Sequence, residues 1–319
     1  MAKVLIITAE QDATIAYFMS SLSSKDREDI VHYKTDRPDL NQLVISPTAP
    51  HKLELHTVAH VYSEENFKSI YYRRTIPPNF DFQPPDHRLE RYCEEEYIRF
   101  WESLEYCFPE KTKWFPGKPS KITIAKNKLL QLVLAKDIGL SIPETVMTNC
   151  PKVLNNVNMP SIYKSIKSPN VPLENKGYAA AWTTEIDESI KQHGEGLLTC
   201  PGIIQSQVCH ISYKVDIRVT IIGDSIFAAE SRNLLHIDGR LTNAPYYKHI
   251  LPNYIEARLF LLVDSLSLNF GAIDLIYDQN SGIYWFLEIN SNGQWVYIEE
   301  ETSMPLCKNL RNFLWNSFQ

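Results

Sequence analysis

The stretches 271-GAIDLIYD-278 and 283-IYWFLEIN-290 are rich in β-branched and aromatic residues and are joined by Gln279, Asn280, Ser281 and Gly282. Two such runs around a short polar, glycine-containing loop read as an antiparallel hairpin. With the loop centred near Asn280, Tyr277 faces Ile283 and Asp274 faces Phe286. Strand parity then puts Asp274, Phe286, Glu288 and Asn290 on one face, with Asp274 and Glu288 as diagonal cross-strand neighbours. Two carboxylates and a carboxamide are hard oxygen donors, and with no His or Cys beside them they suit Mg²⁺ or Mn²⁺ rather than zinc. The open face of an antiparallel sheet also carries polar residues, so a solvated surface accounts for the same three side chains.

Working outward, 216-DIRVTIIG-223 and 225-SIFAA-229 flank Gly223-Asp224, a second hairpin signal. Arg218 shares a strand face with Asp216 and Thr220. Lys164 lies in the β-like run 161-SIYKSIK-167 and is expected to point into a cleft. A metal site lined by a lysine and an arginine is what a polyphosphate needs. Residues Ser120 to Gly139 read as one helix with apolar positions Leu129, Leu130, Val133 and Leu134, Gly139 as its C-terminal cap and Pro143 beyond. Pro116-Gly117-Lys118-Pro119 is the best candidate for a domain boundary. Further back, the proline-rich residues 77–87 form an extended loop before a helical stretch, Leu89 to Leu104. Val4 to Thr8 is a buried strand, after which Asp12 or Thr14 caps a helix. No internal repeat or low-complexity segment interrupts this order.

The composition limits the function. The 319 residues are 44% hydrophobic and 22% charged, typical of a globular protein of two or three domains. A formal net charge of −6 argues against nucleic acid as the main partner. The first residues have no secretory signal pattern and no stretch is long enough for a membrane span, so the cytosol is the expected location and no membrane partner is expected. Six cysteines contain no C-x-x-C pair and suit neither a zinc site nor a disulfide framework. With 11 glycines and no G-x-G-x-x-G, the chain has no Rossmann or P-loop fingerprint, which disfavours an NAD-dependent dehydrogenase.

The order GLSIPET, SIYKSIK, IIQSQV, KVDIRVTIIGDSIFAAESR, GAIDLIY and WFLEINSNGQW resembles the ATP-grasp superfamily over roughly residues 114–300. Within it, the chain is most similar to the peptide-macrocyclising ligases that make microviridin-type (graspetide) peptides, through D-x-R and F-L-E-I-N-x-N-G-Q-W and, more weakly, 71-YYRR-74. The resemblance implies an α/β (α+β) ATP-grasp fold: an N-terminal α/β domain over 1–118, a central subdomain over 119–200 and a C-terminal subdomain over 201–319. Nucleotide would bind between the last two. It implies that Lys164 contacts the ATP phosphates, that the hinge Gln205, Ser206, Gln207 and Val208 meets adenine, and that Arg218 lies against the γ-phosphate with Asp216 holding it or a neighbouring group. Arg232 would stabilise an acyl phosphate, and Asp274, Glu288 and Asn290 would bind Mg²⁺. The implied partners are ATP and a ribosomal precursor peptide with a leader and an acidic core, and a homodimer is compatible with the family.

The implied reaction activates a substrate carboxylate as an acyl phosphate, which a hydroxyl or amine then displaces. It needs positioning and charge neutralisation, not a nucleophilic Ser or Cys. A ligase for small-molecule carboxylates and amines and a nucleotide-binding module without catalysis are the alternatives. The chain departs from the family pattern in the glycine-poor phosphate loop 168-SPNVPLENKG-177, at Ser206, where an acidic residue is common, and at Ser291, where proline is usual. Trp295 reads as a packing anchor under the turn. Arg73 and Arg74 read either as surface loop arginines or as contacts to an acidic peptide. His56 and His60 have the spacing of one helical turn but lack the glutamate of a zinc motif.

Overall fold

A computed structural model describes residues 3–84, 86–167, 170–172, 178–180, 182–232 and 244–316. The apolar run Val4 to Ile7 has at most 1% exposure, because its strand lies inside a sheet covered on both faces. That parallel sheet has the order Ile30–Lys34, Lys3–Thr8, Phe67–Tyr72, Lys113–Phe115. The carboxylate of Asp12 caps the helix Ala13–Ser21 by accepting from the Thr14 and Ile15 N–H groups, as its residue type favours. An antiparallel meander, Asn41–Ile45, Leu53–Thr57 and Val61–Ser63, stands beside this sheet. His56 lies in its middle strand, 3.1 Å from Glu54, and not on a helical turn with His60. Asp86 caps the helix His87–Glu102, whose last turn buries Trp101 completely.

The stretch 120–139 is two helices, not one: Pro119–Ala125 and Lys128–Asp137. The break is at Asn127, whose side chain accepts from the Leu130 N–H and so offers the backbone a cap in place of continued helix. Restarting the helix changes which residues face inward. Gln131, Leu132 and Ala135 are buried, whereas Leu129 and Val133 are 54% and 47% exposed. Gln131 explains why a polar side chain faces the core. Its carboxamide donates to the Ile289 carbonyl and accepts from the Ile289 N–H, both at 3.0 Å, pairing the open edge of the last strand. Gly139 ends the second helix at φ +89°, with Leu140 N–H donating to the Ala135 carbonyl, as the sequence predicts.

An antiparallel central sheet follows, in the order Thr184–Glu185, Ser161–Lys164, Gly202–Ser206, Thr145–Thr148. Of the glycine-poor loop, Asn170–Pro172 pairs with Tyr178–Ala180, while 168, 169 and 173–177 lie outside the described residues. The last sheet has five antiparallel strands in the order Tyr247–His249, Ser225–Ser231, Lys214–Ile222, Phe270–Asp278, Ile283–Asn290. Both expected hairpins are present, and Gly223 turns the first at φ +53°.

The register of the second hairpin differs from the sequence expectation. Tyr277 pairs with Tyr284, and a bulge at Leu287 places Asp274 directly opposite Glu288 and Ala272 opposite Asn290. Phe286 pairs with Leu275 and is fully buried on the opposite face, away from Asp274. The extra residue resolves a conflict of parity. Strict alternation would put Phe286 and Glu288 on one face, and the bulge sends the ring to the core and the carboxylate to the other side. The helix Asn253–Ser265 and the helix Lys128–Asp137 supply the apolar partners for the Phe286 face, through Leu259, Leu262, Leu132 and Ala135. Among the described residues, no helix is long and apolar enough to cross a membrane.

Candidate active site

A cavity of about 710 Å³ is walled by the central sheet and the five-stranded sheet, within the roughly 300–1,000 Å³ of small-molecule sites. Strand alternation selects its lining. From Ser161–Lys164 and Gly202–Ser206 it takes Ile162, Lys164 and Gln205, while Tyr163 and Ile204 turn to an apolar cluster on the other side. From Lys214–Ile222 it takes Lys214, Asp216 and Arg218, while Val215, Val219 and Ile221 enter the core. Asp274, Glu288 and Asn290 complete the wall from the neighbouring hairpin.

The charged groups are paired within this space. Arg218 Nη1 donates to Asp274 Oδ1 at 2.6 Å and Nη2 to the Gln294 carbonyl at 3.1 Å. Lys128 Nζ stands 3.0 Å from Glu288 Oε2, and Lys214 Nζ 3.0 Å from Asp216 Oδ1. Lys164 Nζ donates to Gln205 Oε1 at 2.8 Å, and Gln205 Nε2 donates to Thr145 Oγ1 at 2.9 Å, so the lysine is oriented across the sheet. Burial pushes the Asp274 carboxyl above its ordinary range; Arg218 opposes that shift and facing Glu288 adds to it. Burial acts in the same sense on Glu288, but Lys128, with Lys164 and Arg218 behind it, holds that carboxyl below its ordinary value. Desolvation opposes the charge on Arg218, and Asp274 reverses the balance, keeping the guanidinium charged. Tyr246 and Tyr297 also line the cavity, and burial raises both phenols, so they stay protonated at neutral pH.

The predicted residues do not all converge. Lys164, Gln205, Gln207, Val208, Asp216, Arg218, Asp274, Glu288 and Asn290 share the cavity. Ser206 does not line it; its N–H donates to the Glu144 carbonyl. Arg232 lies past the end of Ser225–Ser231, 59% exposed and 3.9 Å from Glu230, outside the lining. Arg74 lines the cavity, whereas Arg73 is neither a surface residue nor a lining one: it is 2% exposed and bonded to Asp12 at 3.0 Å. Trp295 is the expected packing anchor, fully buried and edge-on to Tyr17. Three lining cations were not expected from the sequence, Lys128, Lys167 and Lys214. Lys214 had a signal, since it continues the period-two series Asp216, Arg218. Lys128 had none, because its partner Glu288 is distant in sequence.

The donor set fits a hard divalent cation. Asp274 and Glu288 face each other directly, Asn290 is next on the same wall, and the cationic side chains engage one oxygen of each carboxylate, Asp274 Oδ1 and Glu288 Oε2. Among the described residues, no group of three or more His, Cys, Asp or Glu is arranged to hold a metal, so a cation here rests on two carboxylates and a carboxamide.

No family model and no curated protein matches the sequence. Solved structures do match. The macrocyclase MdnC of Microcystis aeruginosa MRC, bound with precursor peptide MdnA, superposes with a TM-score of 0.82 at 22% identity, over 99% of this chain and 100% of that one. A RiPP-associated ATP-grasp ligase of Chryseobacterium gregarium, in complex with ADP and a leader and core peptide, gives 0.80 at 22% identity over 100% of both chains. D-alanyl-alanine synthetase A of Vibrio cholerae O1 biovar eltor gives 0.61 at 9% identity over 99% of both. The chain has the ATP-grasp fold.

Proposed function

We propose that this chain is an ATP-dependent ligase that activates side-chain carboxylates of a ribosomal precursor peptide as acyl phosphates and closes them into ester or amide crosslinks. The observation that carries the reading is the facing Asp274–Glu288 pair, set with Arg218 and Lys164 in one cavity between the two sheets. The fold alone supports many ligase substrates. The peptide is favoured because the two more similar structures above, at TM-scores of 0.82 and 0.80, are peptide complexes, against 0.61 for the dipeptide-forming relative.

In this reading Lys164 and Arg218 bind the ATP phosphates, and Gln205, Gln207 and Val208 lie along the base. A substrate carboxylate oxygen attacks the γ-phosphorus, the bond to ADP breaks, and Arg218 faces the charge on the transferred group. A hydroxyl or amine of the same peptide then attacks the acyl carbon and phosphate leaves, so the peptide loses one water per crosslink. Asp274, Glu288 and Asn290 would hold Mg²⁺, which when bound neutralises phosphate charge. Asp216 holds Lys214 at the cavity wall, and Arg232, one residue past the lining residue Ser231, is the candidate that stabilises the acyl phosphate. For the boundary expected at residue 200, the pairing of Gly202–Ser206 with both Ser161–Lys164 and Thr145–Thr148 supports a central unit that runs on to Ser206.

The test mixes the full chain, ATP, Mg²⁺ and precursor peptides with leader and acidic core, and follows mass and ADP. Loss of one water per crosslink, coupled to ADP release, is expected. ATP turnover with free amino acids and not with any peptide would overturn the peptide assignment.

A further inference from the structure

Gln294 sits in the turn after the strand Ile283–Asn290 and is bonded in two directions. Its side-chain Oε1 accepts from Thr14 Oγ1 at 2.6 Å and from Arg73 Nη2 at 3.1 Å, both from the N-terminal sheet and its first helix. Arg73 is itself fixed, with Nε on Asp12 Oδ2 at 3.0 Å and Nη2 on Thr14 Oγ1 at 2.8 Å. The Gln294 backbone carbonyl points the other way and accepts from Arg218 Nη2 at 3.1 Å. Gly293 permits this approach. A Cβ there would stand 2.4 Å from the Ala272 Cβ and 3.1 Å from Arg218 Nη2.

Two contacts therefore set the plane of the Arg218 guanidinium, Asp274 on Nη1 and the Gln294 carbonyl on Nη2. Its Nε, buried, has no hydrogen-bond partner among the described residues, so these two contacts carry the orientation. An arginine that stabilises charge in a transition state is effective only when held in place before the charge develops.

We propose that Gln294 and Arg73 are positioning residues: the Asp12–Thr14–Arg73 cluster locks the Gln294 side chain, and the locked turn presents its carbonyl to aim Arg218 at the transferred phosphoryl group. The inference rests on the reading that Arg218 faces that group. It assigns to the N-terminal sheet a part in phosphoryl transfer, although Arg73 does not line the cavity.

The test compares the full chain with Gln294→Leu, which removes the acceptor, and Gln294→Glu, which keeps one for both Thr14 and Arg73. With ATP, Mg²⁺ and precursor peptide, Gln294→Leu is expected to lower kcat by about tenfold or more while KM for ATP stays within about threefold, and Gln294→Glu to recover most of the loss. A glue role alone predicts loss of thermal stability with kcat unchanged, and that result overturns the proposal. A second arm needs no turnover: the ¹⁵N signals of the Arg218 side chain, assigned through Arg218→Lys, are expected to show freer rotation in Gln294→Leu. Unchanged signals overturn the lock even if the chain proves to have a different substrate. Absence of crosslinking by the unmodified chain would instead count against the ligase reading.

Discussion

The two faces of the five-stranded sheet differ along the stretch that borders the cavity, although they are built from the same strands. One carries Val215, Ile217, Val219, Ile221, Ile273, Leu275 and Phe286, each at most 2% exposed and packed under two helices. The other carries Lys214, Asp216, Arg218, Asp274 and Glu288 along one cavity. Alternation along a strand separates stability from chemistry with a period of two residues, so adjacent substitutions should fail in different ways. The bulge at Leu287 is where that separation is adjusted, since it lets Phe286 and Glu288 serve opposite faces.

The largest effect is expected on the charged face. Asp274→Asn keeps volume and an acceptor for Arg218 but removes the carboxylate, and crosslinking should fall by on the order of 10³-fold. Its thermal transition should move less than that of Phe286→Ala; the reverse order in calorimetry would break the division between faces. Next comes Phe286→Ala itself, which leaves a cavity in the apolar layer and should cost about 3–5 kcal/mol in denaturant unfolding, while the folded fraction binds ATP as the unmodified chain does. Weakened ATP binding by that folded fraction would show that the two faces are coupled. The smallest effect sharpens the helix correction. Leu129→Gln, on the exposed side of the restarted helix, should change stability by less than about 0.5 kcal/mol, and a cost as large as a core leucine would restore the single continuous helix.

Much of this was legible from local pattern. Val4–Thr8, the cap at Asp12, the hairpin at Gly223 and the stop at Gly139 depend on neighbours a few residues away, and each appears where the sequence predicts it. What escaped had non-local causes. The single helix over 120–139 was wrong because apolar spacing does not reveal that Asn127 caps, nor that Gln131 is needed inside to pair Ile289. The hairpin register was off because a bulge leaves no mark in composition, yet the carboxylates still meet, since the shifted turn and the extra residue together bring Glu288 opposite Asp274. Arg73 reads as a loop cation and is a buried one, for its partners Asp12, Thr14 and Gln294 come from three separate places in the chain.

By itself, then, the sequence determined the strand and turn pattern, the family it resembles and nine of the residues that line the cavity, because backbone propensity and side-chain alternation act over a few positions. Only the tertiary structure decided which charges pair, that Lys128 stands against Glu288, and that the turn Gly293-Gln294 joins the N-terminal sheet to Arg218. Those contacts are made between segments up to hundreds of residues apart, and a buried ion pair or hydrogen bond is set by distance and desolvation in space, neither of which is written in local spacing.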